Sequence, residues 1–243
     1  MNRTDRARSF FQPLQTAAII ISRQMLLTLP LITLLVWTAC VAHGQTRRPS
    51  RGDTQQWNDI QVTVPVSKIV DFNLYGTLRF GRDVSHLVDR RAGVGFTFKA
   101  GKYLTFAPSY LHIVMRPTEG RKVNENRLVF AATARVPIGK FTLSDRNQFE
   151  RRLRFPTDST RYRNRLQIEH PVKIGKTSLQ LFASDEVFYD WSFNAWVRNR
   201  FAVGVSRKFN QHFTADIYYM RQNDSHSTPG DLNVIGVTYR LRP

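Results

Sequence analysis

Arg146, Gln148, Glu150, Arg152 and Arg154 occupy every second position of one segment, and Arg163, Arg165, Gln167 and Glu169 do the same in the next. In an extended chain, spacing by two puts such residues on one face. Guanidiniums and carboxylates interleaved in this way can zip to one another, or hold an anion where Arg is in surplus. Glu186, Arg198 and Arg200 are expected to continue the ladder. Ser109 and His112, three residues apart, are the pair that could supply a nucleophile and a base for lipid hydrolysis, provided a third group orients the His. Ser184-Asp185-Glu186 reads as polar wall, and Gly93-Val94-Gly95 belongs to a strand pattern rather than to a phosphate loop. A single cysteine, Cys40, excludes an internal disulfide and multi-cysteine metal sites. The expectation is therefore a charge ladder with no assigned catalytic, metal or cofactor residue.

The chain of 243 residues carries 36 Lys and Arg against 18 Asp and Glu, a formal charge of +18. In a soluble protein that excess points to nucleic acid, anionic membrane or an acidic ligand. The aromatic content of 12% argues against disorder. With 42% hydrophobic residues, the chain lacks the repeated apolar runs of about 20 residues that a bundle of membrane helices requires.

One run comes close. Leu26 to Val41 is apolar, follows Arg3, Arg6, Arg8 and Arg23, and ends in the small or polar residues Ala42-His43-Gly44. Residues 1–44 read as a secretory signal cleaved before Gln45 or nearby, with Met25 as an alternative start. Lipidation at Cys40 and an uncleaved anchor are the competing readings. Cleavage would remove Asp5 and those four Arg, so the mature chain stays strongly basic.

From Val70 onward the sequence alternates with period two. Val70, Phe72, Leu74, Gly76, Leu78 and Phe80 oppose Asp71, Asn73, Tyr75, Thr77, Arg79 and Gly81. The same alternation recurs through Ala92–Phe98, Leu128–Val136, Phe141–Leu153, Tyr162–Val172, Val197–Val205, Phe213–Tyr219 and Ile235–Leu241. Runs near a dozen residues exceed the usual five or six of soluble strands and match the 9 to 11 or so that cross a bilayer. Short turns at Ser67-Lys68, Ala100-Gly101-Lys102, Ile138-Gly139-Lys140, Lys173–Lys176 and Phe209-Asn210-Gln211 alternate with longer polar loops near 83–89, 116–123, 155–160, 190–196 and 223–231. This is the arrangement of an outer-membrane barrel, with short turns on the periplasmic side. Lys gathers in the short turns, whereas Arg lies inside the strands on the polar face, which becomes the lumen. Phe188, Tyr189, Trp191, Phe193 and Trp196 suit an interfacial girdle around one longer loop, with Tyr218 and Tyr219 near another. On the apolar face Asn147, Arg151, Asn164, His170 and Asn199 interrupt the pattern at a cost in mid-bilayer.

The fold expected is all-β: an antiparallel up-and-down transmembrane barrel over 57–243, of 10 to 12 strands, after a signal peptide and a short polar segment, 45–56. Eleven strands can be counted; since bacterial single-chain barrels normally have even numbers, twelve is preferred.

Several segments resemble a bacterial outer-membrane β-barrel family catalogued only as domain of unknown function 2490. They are Trp57-Asn58-Asp59, Arg146–Arg151, Arg163–Leu166, Asp185–Phe188 and Asn199–Gly204. The resemblance spans about 55–243 and implies a barrel; it brings no activity or functional residues. The ending Gly236-Val237-Thr238-Tyr239-Arg240-Leu241 looks like a barrel-assembly signal, carried by Gly236, Tyr239 and Leu241.

The expectation for function is an outer-membrane barrel of a Gram-negative bacterium. It is structural or a narrow pore, with an Arg-rich, anion-preferring lumen. Its partners are outer-membrane lipids and lipopolysaccharide, the assembly machinery and a small anionic solute, without nucleic acid. A lipid-acting enzyme is the second reading, and a secreted basic β-protein binding nucleic acid or polysaccharide the third.

Overall fold

The computed structural model describes residues 52–243; the expected signal and most of segment 45–56 lie outside them. Eleven strands follow in order: β1 (Asp53–Pro65), β2 (Val70–Gly81), β3 (His86–Ala100), β4 (Leu104–Met115), β5 (Val123–Ile138), β6 (Phe141–Arg154), β7 (Ser159–Ile174), β8 (Thr177–Asp190), β9 (Ala195–Lys208), β10 (Phe213–Asp224) and β11 (Leu232–Leu241). Each pairs with its sequence neighbours, and β1 closes on β11. The chain is a closed barrel of outer-membrane type.

The preferred count of twelve is corrected to eleven. No further strand lies between Gly52 and Pro243; instead β1 begins at Asp53, four residues before Trp57. An odd number has a topological consequence. Ten antiparallel steps leave β1 and β11 running the same way, so they pair in parallel, Asp53 opposite Leu232 and Val62 opposite Leu241. Asp53 therefore starts on the long-loop rim, whereas β11 ends on the short-turn rim, where the Arg242 amide donates to the His212 carbonyl at 2.8 Å.

Period-two patterning decides which way each side chain faces. The apolar set lies outward: Leu74, Leu78, Phe96, Leu128, Phe130, Phe149, Val203, Ile217 and Ile235 are all exposed. Aromatic rings gather at both ends of this outer face. Tyr162, Tyr189, Trp191 and Trp196 sit toward the long loops with ring centroids 5.3 to 6.3 Å apart, and pairs such as Phe72–Phe96 and Phe209–Phe213 sit toward the short turns.

The polar interruptions of the outer face satisfy one another. Asn147 and Asn164 donate to Asp145 at 3.0 and 2.6 Å, Asn199 donates to Asp185 at 2.8 Å, and Arg151 donates to Asp158 at 3.1 Å. His170 packs on the Phe141 ring instead. Pairing lowers the cost of holding polar groups against lipid, which is why these positions are compatible with the wall.

Turns behave as their composition predicts. Gly101, Gly139 and Gly175 take positive φ with open space where a side chain would stand. Gly93 serves a different need: a Cβ there would lie 2.5 Å from the Tyr110 carbonyl, so β3 and β4 approach closely only because the side chain is missing. The longer loops are shorter than the sequence suggests. The connection after β2 is only residues 82–85, because β3 extends back to His86.

Candidate functional site in the lumen

The predicted ladder faces inward, and its centre is Glu150 on β6, with no exposure to solvent. Four donors converge on this carboxylate. Arg161 reaches it at 2.6 Å, Arg163 at 2.8 Å, Gln148 at 2.7 Å and Arg127 at 3.4 Å. Glu125, one strand back on β5, takes Arg152 in a two-pronged contact at 2.8 and 3.0 Å and Arg127 at 2.7 Å. Glu186 on β8 accepts from Arg163 and Arg146 at 2.8 and 2.9 Å. Arg198 pairs with Asp224 across β9 and β10 at 2.5 Å. These contacts form a zipper from β5 to β10. A buried charge network of this kind is tolerable only because almost every member has its partners.

Of the predicted ladder, Arg146, Glu150, Arg152, Arg163, Glu186 and Arg198 join the zipper directly. Arg200 joins through Gln222 at 2.9 Å and stands 4.0 Å from Glu186. Arg165 faces the lumen opposite Arg146 in register but has no carboxylate within ion-pair distance among the described residues. Arg154 turns to Ser159 at the rim. Glu169 is not brought to the ladder: it pairs with Arg135 at 2.5 Å toward the short turns. The assembly-signal residues sit on the closing strand, where Tyr239 is exposed on the outer face and the Gly236 Cα faces the Tyr218 ring.

Several members escaped the sequence reading. Glu125, Arg127, Arg161, Asp190 and Asp224 lie on the lumen parity of their strands, and parity alone would have found them. Two aromatics matter more. Phe188, expected in the girdle, points inward with 0% exposure, and Arg163, Arg200, Arg161 and Arg198 stand 4.6 to 5.4 Å from its ring. It is the apolar hub of the zipper, held by cation–π contact. Its parity with Ser184, Glu186 and Asp190 was the available signal. Trp57 is likewise internal, 3% exposed, with Arg79 stacked 3.5 Å from its ring.

Ser109 and His112 lie on opposite faces, because residues three apart in a strand always do. His112 is bonded to Asn126 on the outer wall, 2.9 Å away.

The zipper packs the lumen against β5–β8, and a cavity remains beside it at the long-loop end. A cavity of about 590 Å³ is lined by Trp57, Arg79, Arg91, Arg198, Arg200 and Gln222, and by the loops at the long-loop rim, with no residue of β5–β8. Asp53 fixes this mouth by accepting from the Arg82 and Asp83 amides at 3.1 and 2.9 Å. Those two residues and Val84 all have positive φ, a strained run for side chains other than Gly and worst for β-branched Val84.

Comparison with known proteins gives structural neighbours and a family. The chain is similar to the anion-selective porin from Comamonas acidovorans (10% identity, TM-score 0.38, 72% of this chain and 54% of that one). It is also similar to the β domain of the Bordetella autotransporter BrkA (11% identity, TM-score 0.38, 72% and 82%) and to the siderophore receptor PirA from Pseudomonas aeruginosa (12% identity, TM-score 0.29, 67% and 32%). The chain spans about half the length of the porin. No curated protein matches. Residues 54–233 match the family described as "Protein of unknown function (DUF2490)", and the chain, a closed outer-membrane-type barrel, belongs to that family.

Proposed function

We propose that this protein is a narrow pore of the Gram-negative outer membrane whose lumen prefers small anions. One observation carries the reading: the cavity at the long-loop end of the lumen has cations to spare. Each zipper carboxylate is engaged by at least one Arg, whereas Arg79 and Arg200, which line the cavity, have no carboxylate within hydrogen-bond distance among the described residues, the nearest standing 3.6 and 4.0 Å away. In a confined lumen such incompletely paired guanidiniums attract anions and repel cations. The filled half narrows the path, so passage is limited to small solutes.

The same reading places lipid headgroups at the two rims. Lys68, Lys102, Lys140, Lys173, Lys176 and Lys208 are all exposed at or beside the short turns, where long cationic side chains reach phosphates. Arg90 and Arg151 face outward near the longer loops, at the level expected for lipopolysaccharide phosphates. The final strand would be presented to the assembly machinery.

Orientation gives a direct test. If the short turns are periplasmic, Gly52 is extracellular, and a Cβ there makes only an ordinary 3.8 Å contact. A membrane-impermeant maleimide added to intact cells is expected to label Gly52→Cys and leave Lys102→Cys unlabelled. The reverse pattern would invert the barrel, and labelling of both in intact cells would remove it from the outer membrane. The pore itself is tested by adding the pure, folded protein to a planar bilayer. Small conductance steps are expected, and a protein that gives none refutes conduction.

A further inference from the structure

We infer that the cavity at the long-loop rim is a binding site for a small anion bearing carboxylate or phosphate oxygens, centred on Arg79 and Arg200. The inference rests on the anion-preferring reading of the lumen and assigns that preference to a place.

Its basis is unused hydrogen-bonding capacity. A guanidinium has five N–H donors in a planar fork suited to paired oxygens. Arg79 spends none of them in a hydrogen bond among the described residues: its nearest carboxylate oxygen, on Asp89, is 3.6 Å away, and its Nε is buried without an acceptor. Asp89 is already engaged by Arg91, which donates to both of its oxygens, with Nε at 2.9 and 3.2 Å. Arg200 uses only Nε, toward Gln222, and among the described residues its terminal nitrogens make no hydrogen bond, Glu186 standing 4.0 Å away. Both guanidiniums lie over one indole, 3.5 and 5.0 Å from the Trp57 ring centroid, so their open edges serve a single volume. Trp57 is itself anchored, donating from Nε1 to Gln55 at 2.8 Å. A buried donor without an acceptor is costly, and a ligand oxygen would remove that cost.

The surroundings set the size and the side of entry. The cavity of about 590 Å³ falls within the range of small-molecule sites. It opens among the longer loops, beside Arg82, Asp83 and Glu119, so the ligand would arrive from the extracellular side. The acidic loop residues at the mouth favour a small anion over an extended polyanion.

The test uses the folded full barrel in detergent, with isothermal titration of inorganic phosphate and, separately, of citrate. Saturable binding of at least one of them is expected. Arg79→Met and Arg200→Met should each weaken it at least tenfold, and Arg79→Lys should restore only part, because it returns the charge without the fork. Arg90→Met, on the outer face of β3 between the lining residues Asp89 and Arg91, should leave it unchanged. Heat-modifiability on gels confirms that each variant is folded. No saturable binding of either probe, or equal loss in Arg79→Met and Arg90→Met, overturns the site. Binding by a barrel that does not conduct would refute the pore and keep the site; conduction without binding would do the opposite.

Discussion

Glu150→Gln is expected to destabilise the barrel by about 3 to 5 kcal/mol, the cost of removing one partner from a buried ion pair. The substitution preserves shape but removes the charge that holds Arg127, Arg161 and Arg163 in one place. Those guanidiniums are 3, 8 and 14% exposed, so water cannot replace the lost carboxylate without rearrangement of the lumen. The measurement is the urea or heat midpoint of the folded-to-unfolded gel shift in detergent. Arg151→Gln is the contrasting case, since its pair with Asp158 is exposed and worth about 0 to 1 kcal/mol. Equal midpoints for the two variants would show that the zipper does not hold the wall.

Phe188→Ala is expected to cost a similar amount, about 3 to 5 kcal/mol, by leaving a cavity at the hub. It should also raise single-channel conductance, because the ring that four guanidiniums pack around would no longer occupy the lumen. Phe149→Ala separates the two effects: Phe149 is on the outer face, so its loss should leave conductance unchanged. If Phe188→Ala conducts like the parent protein, the zipper is not what narrows the path.

Much of this arrangement is legible in the sequence. Period-two alternation gives the strands, their lumen faces and the Arg/Glu ladder, because each follows from the chirality and pleat of an extended chain. Glu169 shows where the reasoning slips. Alternation gives the face but not the height along the barrel, and antiparallel pairing reverses the order. Glu150 therefore meets Arg161, and Glu169 is carried to the Thr142 end of β6. Phe188 shows a second limit: residue type suggested a girdle, whereas its parity with Glu186 placed it inside. The contact of Arg146 with Glu186 skips a strand, and depends on the curvature of the wall, which local patterning does not encode. The preference for an even strand number was a rule about other barrels, and the parallel closure of β1 on β11 departs from it.

The proposed pore passes small anions in preference to cations. The zero-current potential of the pure protein in a planar bilayer under a KCl gradient tests it most directly, since the two ions move at similar rates in free solution. The expected potential has the sign of chloride selectivity, reduced or reversed in Arg200→Glu. A cation-selective potential in the parent protein, or one unchanged by that charge reversal, would contradict it.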